Sequence, residues 1–127
     1  MRPTAKRLVE EAGRAIEIGR RELGAGDIEV GADRACVAML RLASACLEVD
    51  GLTPAAPAEV CVAYGQRFSR TSRLYSAYHR WLLDAMDLRK ASTGELPTCI
   101  DPASSSAALE RAELFRDAVV QFLDRNG

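Results

Sequence analysis

The stretch Tyr64–Lys90 holds the residues most able to do chemistry. It carries Arg67, Arg70, Arg73, Arg80, Arg89 and Lys90 against Asp84 and Asp87, six cations to two carboxylates and a local excess of four positive charges. Tyr64, Phe68, Tyr75, Tyr78 and Trp81 are interleaved with them. Arginines neutralise phosphates and flat rings stack on unpaired bases, so this composition suits single-stranded RNA or a nucleotide. The same residues also suit a plain amphipathic helix with a solvated arginine face, in which Arg80 and Asp84 form an ordinary pair one turn apart. His79 is the sole histidine, and acid–base catalysis near neutral pH would turn on it. Arg73 precedes it by six positions, about 120° around a helix, so the two cannot meet within one chain unless the helix breaks between them.

Other catalytic patterns fail on inspection. Gly24-Ala25-Gly26 lacks the Gly-Lys-Ser/Thr of a phosphate-binding loop, and no Gly-x-Ser-x-Gly elbow occurs. Cys36, Cys46, Cys61 and Cys99 include no pair at the close spacing by which two thiolates grip one zinc ion. Cys36 and Cys46 stand in apolar company and read as reduced, structural thiols. No metal and no cofactor is expected.

These residues must be positioned by helices. Apolar positions recur at spacings of three, four and seven. They predict a first helix from Thr4, with Leu8, Ala12, Ala15, Ile16 and Leu23 inward, ended by Gly24, Gly26 and Gly31. A second runs from about Asp33 to Asp50 with Val37, Leu40, Ala43 and Leu47 on one face. Pro57 opens a short helix to about Phe68. Thr71 or Ser72 caps the next, with Leu74, Tyr78, Leu82, Ala85 and Leu88 as its stripe. Ser92 to Ser106 reads as a loop. Ser105 or Ser106 caps a last helix to about Asp124, with Leu109, Ala112, Phe115, Val119 and Phe122 inward. The expectation is one all-α domain over residues 1–127, an antiparallel up-and-down four-helix bundle with one short additional helix.

The chain has 127 residues, 48% hydrophobic and 28% charged, with 17 basic and 18 acidic side chains. This balance excludes wholesale disorder and a globally cationic nucleic-acid or membrane binder. No apolar run has bilayer-spanning length, and no signal-peptide core follows the N-terminus. A cytoplasmic location and no membrane partner are expected.

Three segments resemble the HEPN family of nucleotide-binding helical domains, in particular its short stand-alone prokaryotic members. Asp33–Leu47 (DRACVAMLRLASACL) resembles the family's small-residue-rich second helix. Tyr64–Ser72 (YGQRFSRTS) resembles the approach to its third long helix, and Leu83–Arg89 (LDAMDLR) the end of that helix. The resemblance implies a helical bundle that dimerises. It also implies ribonuclease activity and pairing with a small nucleotidyltransferase-type antitoxin, as in toxin–antitoxin modules. The family site is Arg, four to six residues, then His. Arg89 stands at its arginine, but Lys90–Leu96 contains no histidine, and the one Arg-x5-His string, Arg73 to His79, comes too early in the chain.

The first expectation is therefore a degenerate, non-catalytic member. It binds RNA or a nucleotide, or a protein partner, through Arg67, Arg70, Arg73, Arg80, Arg89 and Lys90. The alternative is an active ribonuclease, needing no metal, that uses His79 with Arg73 or Arg89 across a dimer. A third is a purely structural helical adaptor. Tyr75, Tyr78 and Trp81 offer more apolar surface than one core stripe needs, and they are assigned to a homodimer interface.

Overall fold

The computed structural model describes residues 1–95 and 100–126, and every described element is helical. Helix α1 spans Pro3–Gly24, α2 Ile28–Val49, α3 Pro57–Tyr64, α4 Ala77–Ser92 and α5 Pro102–Asn126. A π-helical turn, Gly65–Ser69, continues α3. Pairings between helices give their directions. Arg20 meets Glu113 and Gly13 meets Arg116, so α1 opposes α5. Arg89 meets Asp33 and Met86 meets Cys36, so α4 opposes α2. Asp84 meets Arg111 and Tyr78 meets Phe115, so α4 opposes α5. The long helices thus alternate up and down. No helix among the described residues is long and apolar enough to cross a membrane.

Helix α2 packs against every other helix, whereas α4 touches mainly α2 and only lightly α5. Expected as a one-faced helix, α2 is instead buried nearly all round: Ala32, Ala35, Ala38, Ala43, Ala45, Cys36 and Cys46 are all enclosed. Small side chains let neighbouring backbones approach from several directions. The core beside it is aromatic. Tyr64 stacks on Phe68 at 5.4 Å, Phe115 meets Tyr64 edge-on at 5.6 Å, and Phe122 meets Phe68 edge-on at 5.4 Å. These spacings are the favoured geometry for ring pairs. The Tyr64 hydroxyl, fully buried, has no hydrogen-bond partner among the described residues.

Three helix starts differ from expectation. Helix α2 begins five residues early, at Ile28, because the Asp27 carboxylate accepts from the Val30 N–H and caps it. Gly31 is then not a turn residue but a buried helical one, facing the Leu23 Cβ and the Ser105 Cβ. Helix α5 begins at Pro102, with the Ser104 N–H donating to the Asp101 carboxylate at 2.7 Å, a bond that holds the Asp101 pKa below its ordinary value. Ser105 does not cap; its buried Oγ donates to the Ile28 carbonyl at 2.8 Å and ties α5 to the start of α2. The loop expected over Ser92–Ser106 is shortened accordingly. Helix α4 begins at Ala77, not at Thr71 or Ser72, since Ser72 lies at φ 57°, outside helical space.

Gly19 marks the tightest crossing. A Cβ there would lie 2.7 Å from Leu109 Cδ2 and 3.0 Å from Arg34 Cβ, and the latter is tied to the α2 backbone. At Gly13 a Cβ would meet only the Arg116 guanidinium at 3.3 Å, the movable end of a long side chain. Glycine to alanine in a helix normally stabilises by about 1 kcal/mol. Gly13→Ala should therefore raise the urea midpoint, while Gly19→Ala should lower it, by about 1–3 kcal/mol of overpacking. Tyr64→Phe should leave the midpoint unchanged or raise it, because it removes a buried, unpaired hydroxyl.

Candidate functional site

The cationic residues of the 64–90 stretch do not form one open patch. Arg73 lies in the connection before α4, and both its terminal nitrogens reach Asp50, at 2.9 and 3.3 Å. Its guanidinium also sits 4.2 Å above the Phe68 ring, a cation–π contact on the edge of the aromatic core. Arg67 approaches the same carboxylate at 3.6 Å. Asp50 stands at the C-terminal end of α2, where a negative charge is unfavourable next to the exposed carbonyls, and the two arginines offset it. Arg89 pairs with Asp33 at 3.0 Å and Arg80 with Asp84 at 3.4 Å. Only Arg70 and Lys90 of the six have no carboxylate partner among the described residues.

His79 and Arg73 do not meet; the helix does break between them, but Arg73 is taken by Asp50. Nor is His79 among the partners of Arg89. The arginine that shares a groove with it is Arg70. The two line one groove of about 270 Å³ with Cys61, Val62, Gly65, Gln66, Ser69 and Leu83, where the end of α3 meets the first turns of α4.

Two features seat the imidazole. His79 Nε2 lies 3.1 Å from the Cys61 carbonyl oxygen. A carbonyl can only accept, so Nε2 donates and Nδ1 of the neutral ring carries the lone pair. The ring also lies directly over Gly65, where a Cβ would be 2.7 Å from Nε2 and 2.8 Å from Cε1. Gly65 opens the π-turn, which carries the chain around so that Arg70, the residue after it, faces the same groove. An isolated glycine within a helical pattern signals such close approach, and that signal marks Gly65. The nine-residue separation of Arg70 from His79 carries none.

The arrangement offers a fixed imidazole and an uncommitted guanidinium on the wall of one groove. Together they can hold an anionic oxygen, and Nδ1 can take a proton from a group bound beside it. The thiols contribute little. Burial pushes the Cys36 thiol up to about 11 against the pull of the nearby Arg89 guanidinium, and it pushes Cys46 and Cys61 up as well. All three are buried and free, and Cys36 packs its sulfur 3.4 Å from Met86 Sδ. Cys99 lies outside the described residues. Among those residues no three His, Cys, Asp or Glu side chains converge as a metal site.

The aromatic residues assigned to an interface form a ladder. Tyr75 and Tyr78 meet edge-on at 5.5 Å, Tyr78 and Trp81 at 5.3 Å, and Tyr78 also rests on Phe115 at 5.1 Å. Tyr78 and Trp81 are half-buried against the chain's own core, whereas Tyr75 is 65% exposed. No protein-family model matches the chain, and no curated protein does either.

The seating of His79 predicts coupled energetics with Gly65. Gly65→Ala should destabilise by about 1–3 kcal/mol through the forced displacement of the ring. In the Gly65→Ala/His79→Ala double variant that cost should largely vanish, giving a coupling of about 1 kcal/mol or more in a denaturation double-mutant cycle. Additive costs would show that the ring is not held there.

Proposed function

We propose that this chain is an HEPN-like helical domain that binds RNA or a nucleotide as a homodimer, with the His79–Arg70 groove as its phosphate contact. The observation that carries this reading is the presence of an unpaired arginine and an oriented imidazole on one groove. The neighbouring arginines serve the fold and the groove's field, because Arg67, Arg73, Arg80 and Arg89 each already hold a carboxylate. The alternating long helices and the small-residue second helix agree with the family resemblance. Tyr75, projecting from the ladder with Tyr78 and Trp81 behind it, supports the self-association face. A small nucleotidyltransferase-type antitoxin is the protein partner that goes with this reading.

A second reading rests on the same imidazole. With Nε2 committed to the Cys61 carbonyl, Nδ1 is the basic nitrogen, and Arg70 rather than Arg73 or Arg89 would stabilise charge on a phosphorane. The domain would then be a ribonuclease in which Nδ1 takes the proton from a 2′-hydroxyl.

Fluorescence anisotropy with a short labelled single-stranded RNA at low salt tests the first reading. Binding should weaken as salt rises, and Arg70→Ala should lower both the affinity and the salt slope, by about 0.7 for one lost phosphate contact. Absent binding, or binding indifferent to salt, would overturn it. Cleavage of the same RNA that His79→Ala abolishes would establish the second reading. Light scattering should give twice the 13.8 kDa chain mass; a mass near that of one chain would remove the dimer.

A further inference from the structure

The His79 groove has two unlike ends. Ser69 and Arg70 stand at one, Cys61 and Val62 at the other. No carboxylate lines it, and Arg70 holds none among the described residues. Val62 is 60% exposed, so the far end presents open apolar surface. Half-buried Leu83 of α4 shares that groove wall.

Beyond the far end the same line continues along α4. Lys90 follows His79 by eleven residues, three helical turns plus about 20°. It therefore stands on the same side of α4, about 16 Å further along the axis. Leu83 falls within about 40° of that line. Burial raises the Cys61 thiol pKa and the Lys90 charge draws it back, which puts the ammonium within electrostatic reach of the groove's far end. Lys90 is exposed and has no ion pair among the described residues. Asp87 stands about 60° around α4 from it, and Asp33 and Asp84 are taken by other arginines. Two unpaired cations thus bracket one seam between α3 and α4, with apolar surface between them.

We propose that this seam is a strand track, which takes a single-stranded RNA segment of about five nucleotides, with phosphates on Arg70 and Lys90, in preference to a mononucleotide. The inference rests on the RNA-binding reading and chooses between its two ligands. A stacked strand advances about 3.4 Å per phosphate, so about five nucleotides cover the distance from His79 to Lys90. A lone nucleotide reaches one cation only. A second contact on the same strand is intramolecular once the first is made, and it raises affinity for that reason. Val62 and Leu83 give the intervening bases and riboses an apolar floor.

Oligouridylates of about one to eight nucleotides, competing with a labelled RNA in fluorescence anisotropy at about 50 mM salt, test the track on the unmodified protein. Affinity should climb with length and level off near five nucleotides. Lys90→Ala should lower the affinity for a hexamer roughly fivefold or more and its salt slope by about 0.7. That loss should shrink steadily as the oligomer shortens, whereas Arg70→Ala should weaken binding at every length. Arg125→Ala removes an equal charge from a different groove, beside Tyr75 at the end of α5, and should leave the series unchanged. A plateau at one or two nucleotides would overturn the track while leaving RNA binding itself intact. So would a Lys90→Ala loss that is equal at all lengths, or one that Arg125→Ala reproduces. Absence of binding at every length would overturn both readings.

Discussion

The close enclosure of α2 is the constraint on which the rest of this molecule depends. A helix that touches four others has almost no solvent face, and its neighbours can reach it only if its side chains are short. Alanine and cysteine at Ala35, Cys36, Ala38, Ala45 and Cys46 satisfy this, and Gly19 and Gly31 do so where α1 and α2 cross beside α5. The single hydrogen bond from Ser105 to the Ile28 carbonyl sits at that crossing. It sets the register of α5 against α2 at one end of the bundle. At the other end, Asp50 gathers Arg67 and Arg73, the latter over the Phe68 ring. These polar ties at the two ends act together with the close packing at Gly19 and Gly31 in aligning the helices.

Helix α4 is held differently. Only Leu82 and Ala85 are fully buried, and Tyr78, Trp81, Leu83 and Met86 pack half-buried against the core. Its start is instead located by His79, seated on Gly65 and bonded to the Cys61 carbonyl. Gly65, whose missing Cβ makes room for the ring, opens the π-turn that leads to Arg70 on the same groove. This segment thus does two things at once: it seats the first turn of α4 beside α3, and it brings an imidazole and an unpaired guanidinium to one groove. Bulges of this kind are frequent where function needs a side chain re-aimed.

The cationic character of the 64–90 stretch changes meaning once α2 is in place. Counted along the chain, it has four positive charges in excess. In the fold, Asp33 and Asp50 arrive from α2 and take up Arg89, Arg67 and Arg73. The open positive charge contracts to Arg70 and Lys90, and the arginines nearest the core act through cation–π and ion-pair contacts.

From the sequence alone, the helical class followed, with the five helices and most of their inward residues, because the 3.6-residue period of buried side chains is a local property. Leu109, Ala112, Phe115, Val119 and Phe122 are all buried as that period requires. The starts of α2 and α5 did not follow. Asp27 and Asp101 are the actual caps, and Gly31 and Ser105, taken for boundaries, pack between helices. Which arginine stands beside His79 was likewise beyond reach. Spacing along one ideal helix can relate Arg73 to His79, but a π-turn and a break before Ala77 replace that geometry. Only the tertiary structure decided that Arg73 belongs to Asp50 and that Arg70 lines the groove of the imidazole, because ion pairing depends on charges that other helices bring and that no local pattern records.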